Sequence, residues 1–368
     1  ALKIAIIERN YVEQGENTQF DDRVLALSHG TAAYLHQLGL WPLLAKQAQA
    51  IRKIHVSDRG YYGKARIAAK QYQIDALGYV IEMARLGESL ISATANYSNI
   101  YWFLPDEITD ISWQTSHVIL TLASGQYLQA PLLLACDGAQ SKCRQLANIS
   151  THTTSYQQAA LIANVATANA HNDIAFERFT ATGPIAMLPM TSIQGKNRSS
   201  LVWTLPPQQA QAMLALDDSN FAQTLEQAFG SWLGEITHVG QRDSFPLALT
   251  QVERQTYHRM ALIGNAAHTI HPIAGQGFNL GVRDVKQFAE LVKKALPAGQ
   301  DIGSGQLLNH YQINRQQDQK QVIELTDSLV TLFSNELAPL VLGRNIGLKA
   351  FNYLSPLKRL LVNKAMGY

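Results

Sequence analysis

Cysteine, charge and long apolar runs are all scarce in this chain. Only Cys136 and Cys143 occur among its 368 residues. Neither stands in a C-x-x-C pair or a Cys/His cluster with metal-ligand spacing, which argues against a disulfide framework and a zinc site. Two reduced thiols of a cytoplasmic protein are the expected state. Charged residues make up 16% of the sequence and the net charge is +2. Lys and Arg are scattered rather than striped, so nucleic acid is not an expected partner. No apolar run approaches the roughly 18 residues expected of a membrane span. The opening residues Ala1 to Glu8 have neither the length nor the small-residue cleavage site of a signal peptide. Internal repeats and low-complexity segments are lacking too.

What is present is ordinary globular material, 46% hydrophobic, in a chain long enough for two domains or one large α/β domain with an insertion. Leu2 to Ile7 reads as a buried strand ending on an acid. Thr31 to Ala48 has helical spacing broken by Gly39 and Pro42, which predicts two short helices. Strands are expected at Ile54 to Ser57 and around Ala65 to Ile74, and a helix over Leu86 to Tyr97. Further strands follow at Ile100 to Leu104, Val118 to Leu122 and Tyr127 to Ala135, with Ser124-Gly125 as a hairpin turn. From Ala159 to Leu205 strand follows short strand, which predicts an antiparallel sheet in an inserted second domain. Helical periodicity dominates from Val282 onward.

Three segments carry chemistry. Glu8 ends a hydrophobic strand, where dinucleotide-binding folds place an acid for the ribose hydroxyls, although a strand-end Glu is more often merely solvated. Leu132 to Ala135 is a buried strand leading into Asp137-Gly138, a tight turn, and then into a helix start that Ser141 can cap. The most specific segment runs from Ala261 to Asp284. A strand ends on Gly264-Asn265, a loop holds His268, His271, Pro272, Gly275 and Gln276, and a helix begins near Gly277-Phe278-Asn279. Glycines remove the Cβ atoms that would keep a flat ligand off the backbone. A helix N-terminus offers unpaired N–H groups to negative charge, which a reduced flavin carries on its pyrimidine edge.

Asp137-Gly138 and Gly264 to Asp284 resemble the DG and GD motifs of class A flavoprotein monooxygenases, which share the para-hydroxybenzoate hydroxylase fold. Asp22-Arg23 with Ala26-Leu27-Ser28, His55 to Gly60, Phe176-Glu177-Arg178-Phe179-Thr180, Phe245 to Leu249 and Gly343 to Leu348 are similar to the branch that makes ubiquinone. The nearest resemblance is to the 2-polyprenyl-6-methoxyphenol hydroxylases, which share Asn at position 265 where the wider class has Asp. The likeness runs from end to end. A complete member opens with a strand and a G-x-G-x-x-G turn about 20 to 30 residues ahead of the ribose acid. Neither precedes Glu8, so the chain as it stands is expected to bind FAD poorly and to be inactive alone.

The resemblance implies an α/β fold: a Rossmann-like three-layer FAD-binding domain lacking its first strand and glycine loop, an inserted α+β substrate domain carrying an antiparallel sheet, and a C-terminal helical region. The expected boundaries are residues 1–50, 78–150 and 255–300 for FAD, 51–77 and 151–254 for substrate, and 301–368 for the helices. It further implies that Glu8 holds the adenosine ribose, Arg23 reaches the pyrophosphate, Asp137 and Gly138 border the phosphate and ribityl region, Gly264 and Asn265 meet the ribityl chain, and Pro272 and Gly275 to Asn279 back the ring. NADPH or NADH would reduce the FAD, and O2 would hydroxylate a polyprenylated phenol through a C4a-hydroperoxyflavin. No catalytic side chain is required, because the cofactor carries the chemistry. His268 and His271 are weak candidates for assisting phenol deprotonation, with packed or loop roles as the plainer alternative. Other readings are a non-catalytic prenyl-phenol-binding component of a biosynthetic complex and a flavin reductase of the same fold. A cytoplasmic protein is expected, with other ubiquinone-biosynthesis proteins as partners or peripheral contact with the inner face of the membrane. Leu354 to Met366, with Lys358, Arg359 and Lys364, suits a helix in an anionic interface or one packed on the core.

Overall fold

The computed structural model describes residues 2–10, 20–59, 64–270, 275–333 and 366–367. The alternating stretch after residue 150 forms strands Thr151–Thr167, Ile174–Thr180, Gly183–Ile193 and Lys196–Leu205. With Lys53–Asp58, Lys64–Ala68, Ile236–Val239, Asp243–Val252 and His268–Thr269 they make a nine-stranded sheet. Its pairings are antiparallel except that of Ile174–Thr180 with Lys53–Asp58.

Strand alternation gives this sheet two apolar faces. On the outer face Leu161, Phe176, Ile185 and Leu201 pack with Phe221, Leu225 and Phe229 of the helix Asp218–Phe229. Phe221 and Leu225 are fully buried, and each such side chain contributes roughly 1.5–3 kcal/mol. On the inner face Ala175, Met190, Ile54 and Leu188 meet Val24, Ile51 and Val80. These last belong to a smaller sheet of Val24–Ser28, Gly78–Glu82 and Gln49–Ile51. The fully buried Arg198 crosses this contact, its Nη2 donating to Glu82 Oε1 over 2.7 Å. Asn164 Nδ2 reinforces it by donating to the carbonyls of Phe20 and Asp22.

Two parallel pairings flank this centre: Ile4–Ile7 with Ile100–Phe103, and Leu133–Ala135 with Met260–Leu262. Ile7 reaches the core of the second pair, beside Leu133, Ala135, Met260 and Leu262. The helices Gln276–Ala295 and Gly305–Phe333 follow. No helix among the described residues is long and apolar enough to cross a membrane. Of the segment 354–366, all but Met366 lies outside the described residues.

Several boundaries differ from the sequence expectation for local reasons. The first short helix starts at His29, because Ser28 accepts from Thr31 N and caps it two residues early. It ends at Gln37, just ahead of Gly39, whose φ of +73° suits a helix stop, and Trp41–Leu44 follows as the second helix. The third helix occupies Met83–Thr94 rather than Leu86 to Tyr97. The run from Tyr127 to Ala135 is two strands in different sheets, broken at Pro131, which has no N–H for a ladder. Ile108–Trp113 is a strand the sequence did not announce. After Lys64–Ala68 the chain turns into a short 3-10 helix, Ala69–Tyr72, where a longer strand was expected.

Candidate functional site

The loop from Gly264 to Asn279 is tied down at both ends. Gly264 opens the 3-10 turn Gly264–Ala266 with φ +60°, and its N–H donates to Asp284 Oδ2 over 2.8 Å. Gly281 comes so near that a Cβ on it would lie 3.2 Å from Gly264 Cα. Asn265 is exposed and has no hydrogen-bond partner among the described residues.

Gly275 caps the helix Gln276–Ala295 in the left-handed region, and a Cβ there would lie 2.8 Å from Ala26 Cβ. Asn279 is the latch. Its Oδ1 accepts from Ser28 N and Thr31 Oγ1, and its Nδ2 donates to the carbonyls of Ala26 and Gly275, all over 2.8 Å. The Asn279 amide is thereby saturated and holds the helix start against Val24–Ser28. Phe278 packs beside Leu27, Leu35 and Ile81, and Gln276 is buried. Gly277 differs from its neighbours. Among the described residues, the nearest neighbour of a Cβ on it would be Ile270 Cγ1 at 4.0 Å, an ordinary contact at a helix N-terminus.

Behind the loop lies a buried polar hub that the sequence did not reveal. Asp284, fully buried, accepts from Gly264 N, from Arg315 Nε over 2.6 Å and from Gln319 Nε2 over 3.3 Å. His268 Nε2 is 2.8 Å from its Oδ2. Burial alone would raise the Asp284 carboxyl, but the His268 hydrogen bond, the Arg315 charge and the Gly264 N–H outweigh it and hold the group below its ordinary value. Arg315 and Arg283 share Asp318, which locks the helix Gly305–Phe333 to its neighbour. His268 is therefore buried against a structural partner. His271 and Pro272 lie outside the described residues.

The remaining expected residues are distributed as follows. Glu8 follows Ile4–Ile7, half-buried, with one oxygen accepting from Asn10 N. Asp137 spends its oxygens on Ser141 Oγ and Cys143 N, at 2.5 and 2.9 Å, and so organises the turn ahead of the helix Lys142–Leu146. Gly138, φ +81°, has only open space where a Cβ would stand. Ser141 caps that helix through Arg144 N over 3.0 Å. Replacing Ser141 by Ala is expected to cost about 1–2 kcal/mol, read as a lower urea midpoint at unchanged slope, and an unmoved midpoint would contradict the cap. Arg23 pairs with Asp243 over 3.2 Å and lies over the Phe245 ring.

Asp243 begins a row that crosses the inner sheet face. Asp243, Ile162, Val202, Ala186, Glu177 and Val56 are successive register partners over six strands, and all six are half-buried. The next row on that face, Ala160, Thr204, Phe179 and Asp58, is buried. The half-open row is thus a shallow trough with an apolar floor, and the strand of Asp243 pairs with His268–Thr269 seven residues further on, at Thr250 and Gln251.

The site thus combines an α/β body, a glycine at a helix start and, on the turn before it, an exposed Asn265 with no hydrogen-bond partner among the described residues. Residues 110–326 match the FAD binding domain family. The fold is that of p-nitrophenol 4-monooxygenase PnpA from Pseudomonas putida, with TM-score 0.78 at 17% identity over 99% of this chain and 92% of that one. It is also that of Klebsiella pneumoniae HpxO complexed with FAD and uric acid, at 0.73 and 13% over 99% and 89%. The solved structures give the fold, and the family match gives the class, FAD-binding proteins. Ubiquinone hydroxylase UbiL of Rhodospirillum rubrum is 37% identical over 95% of this chain and 80% of its own length. The 3-demethoxyubiquinol 3-hydroxylase of Escherichia coli is 30% identical over 95% and 88%, and human ubiquinone biosynthesis monooxygenase COQ6 is 31% identical over 92% and 81%. The chain belongs to the FAD-dependent aromatic hydroxylases of ubiquinone biosynthesis.

Proposed function

We propose that the protein uses FAD, NADPH or NADH and O2 to hydroxylate the ring of a polyprenylated phenol on the way to ubiquinone. The observation that supports this reading is Gly277 at a helix start latched by Asn279, with Ile270 the nearest described neighbour of its Cβ position. FAD supplies the oxygen-activating chemistry when bound. In this reading the backbone from Gly275 to Asn279 backs the flavin ring, with Gln276, Phe278 and Asn279 fixing the loop and Pro272 within it. Gly264 and Asn265 meet the ribityl chain. Asp137 shapes the turn that lets Gly138 approach it, Glu8 holds the ribose, and Arg23 reaches the pyrophosphate. The chain's other task is to hold the phenol dry and oriented against the ring.

Residues 51–77 and 151–254 would form the substrate part, a division supported by the shared nine-stranded sheet. Residues 1–50, 78–150 and 255–300 would hold FAD. A polyprenyl phenol is nearly insoluble in water, so the reading includes a cytoplasmic protein that meets its substrate at the inner membrane surface or takes it from another enzyme of the pathway. The test is NADPH oxidation by the FAD-loaded protein with and without a short-chain prenyl phenol. The expected result is oxidation stimulated by the phenol with a matching yield of ring-hydroxylated product, and stimulation without product would contradict the hydroxylase.

A further inference from the structure

Glu177 is the one acid in the trough with no partner among the described residues. The other, Asp243, is answered by Arg23 and lies four strands away, roughly 19 Å at strand spacing. The face on which Glu177 stands is fixed by its neighbours. Phe176 belongs to the outer core and Ala175 to the inner contact, so the alternating side chain at 177 points inward. Its direct neighbours in register, Val56 and Ala186, are apolar and small.

A half-buried carboxylate among alkyl groups is costly to keep ionised. Burial accordingly pushes Glu177 up to about 7. Asp58, one step further along its strand, is buried and has its own interactions. Arg178 lies on the opposite face, beside Gly230. The smaller sheet that packs on the inner face presents Val24, Ile51 and Val80, and its Glu82 is held by Arg198.

We propose that Glu177 is the catalytic base for the substrate, its carboxylate taking the phenol proton while the aromatic ring rests on the apolar floor beside it. This rests on the hydroxylase reading and names a residue for a step that reading left unassigned. The phenol O–H bond breaks, the proton forms a new O–H bond on a Glu177 oxygen, and the electron pair stays on the phenol oxygen. The ring becomes more electron-rich and so a better partner for electrophilic oxygen. The proton returns to solvent through the open side of the trough. A proton acceptor poised near neutrality suits this transfer better than one at the usual carboxylate value.

The experiment compares wild type, Glu177→Gln and Glu177→Asp, all FAD-loaded, with a short-chain prenyl phenol as probe. Wild type is expected to develop the phenolate ultraviolet band on binding at about pH 8, and Glu177→Gln to lose it. Turnover to hydroxylated product should fall on the order of 100-fold in Glu177→Gln, with partial recovery in Glu177→Asp. In wild type turnover should rise with pH through about 7, and that limb should vanish in Glu177→Gln.

A third readout needs no substrate. Because the folded carboxyl is raised above its unfolded value, the stability it contributes is present at low pH and is lost as pH climbs from about 4 through about 7. Glu177→Gln should therefore raise the melting temperature more at about pH 8.5 than at about pH 5. A variant that keeps the phenolate band and the pH limb overturns the proposal. A wild type that makes no product from any phenol, yet ionises one in a Glu177-dependent way, would overturn the hydroxylase reading and sustain the proton-accepting site.

Discussion

Asp284→Ala is expected to lose about 3–5 kcal/mol of stability, the cost of breaking a buried charged pair from one side. The carboxylate accepts four hydrogen bonds in a site with no access to water, from Gly264 N, His268, Arg315 and Gln319. Its removal leaves the buried Arg315 Nε and the half-buried Gly264 N–H without that partner. A typical domain has only about 5–15 kcal/mol in total, so the urea midpoint should drop steeply. The pH dependence has a definite sign. Asp284 is held below its ordinary value in the folded protein, so its contribution is present above the unfolded pKa of about 4 and disappears as pH falls further. The gap between wild type and variant should therefore narrow in acid. A loss under about 1 kcal/mol at neutral pH would show that the hub is not what holds the loop's first turn.

In the full-length protein, Gly277→Val should lower FAD affinity on the order of 100-fold, about 2.7 kcal/mol, while leaving the protein itself nearly as stable as before. The two effects separate because, among the described residues, a Cβ at 277 meets only Ile270 Cγ1, at 4.0 Å. The polypeptide has room for the side chain, and the flavin ring does not. Gly275→Ala is the contrasting variant. Its φ of +62° and the Ala26 Cβ at 2.8 Å mean that the fold itself resists the change. Bound flavin is read by absorbance after gel filtration, and stability by thermal unfolding of the stripped protein. Normal FAD content in Gly277→Val would mean that the ring binds elsewhere.

The parts of this architecture that could be read from the sequence are those whose causes are local. Ser28 and Ser141 are caps because a hydroxyl at that spacing reaches an N–H of the first turn. The second of these was foreseen and the first displaced a boundary. Ser124-Gly125 makes its hairpin turn because Gly125 sits at φ +84°. The order of strand, Gly-Asn turn, glycine loop and helix start was legible for the same reason. The space around Gly277 could not be read locally, since it depends on where the neighbouring strand lies.

What was hidden depends on partners far along the chain. Asp284 is the fourth residue of a Gly-Val-Arg-Asp run that reads as an ordinary amphipathic helix. Its partners are 16 to 35 residues away on three other elements. Asn279 was placed against the ring, and its amide proves to be consumed by Ser28, Thr31 and Ala26, about 250 residues earlier. Glu177 stood inside a recognised motif, but only the register of six strands puts it in the half-open row. The Ile108–Trp113 strand was missed because its alternation mixes Thr109, Asp110 and Ser112 with Ile and Trp. Pro131, by contrast, was a visible break in an apolar run that had been read through.

A hydroxylase of this kind takes the product's new oxygen from O2. The FAD-loaded protein, supplied with NADPH and a short-chain prenyl phenol under isotopically labelled O2, should place one labelled oxygen on the aromatic ring. One NADPH should be consumed for each hydroxyl formed. An unlabelled product, or a phenol recovered unchanged while NADPH is oxidised, would contradict it.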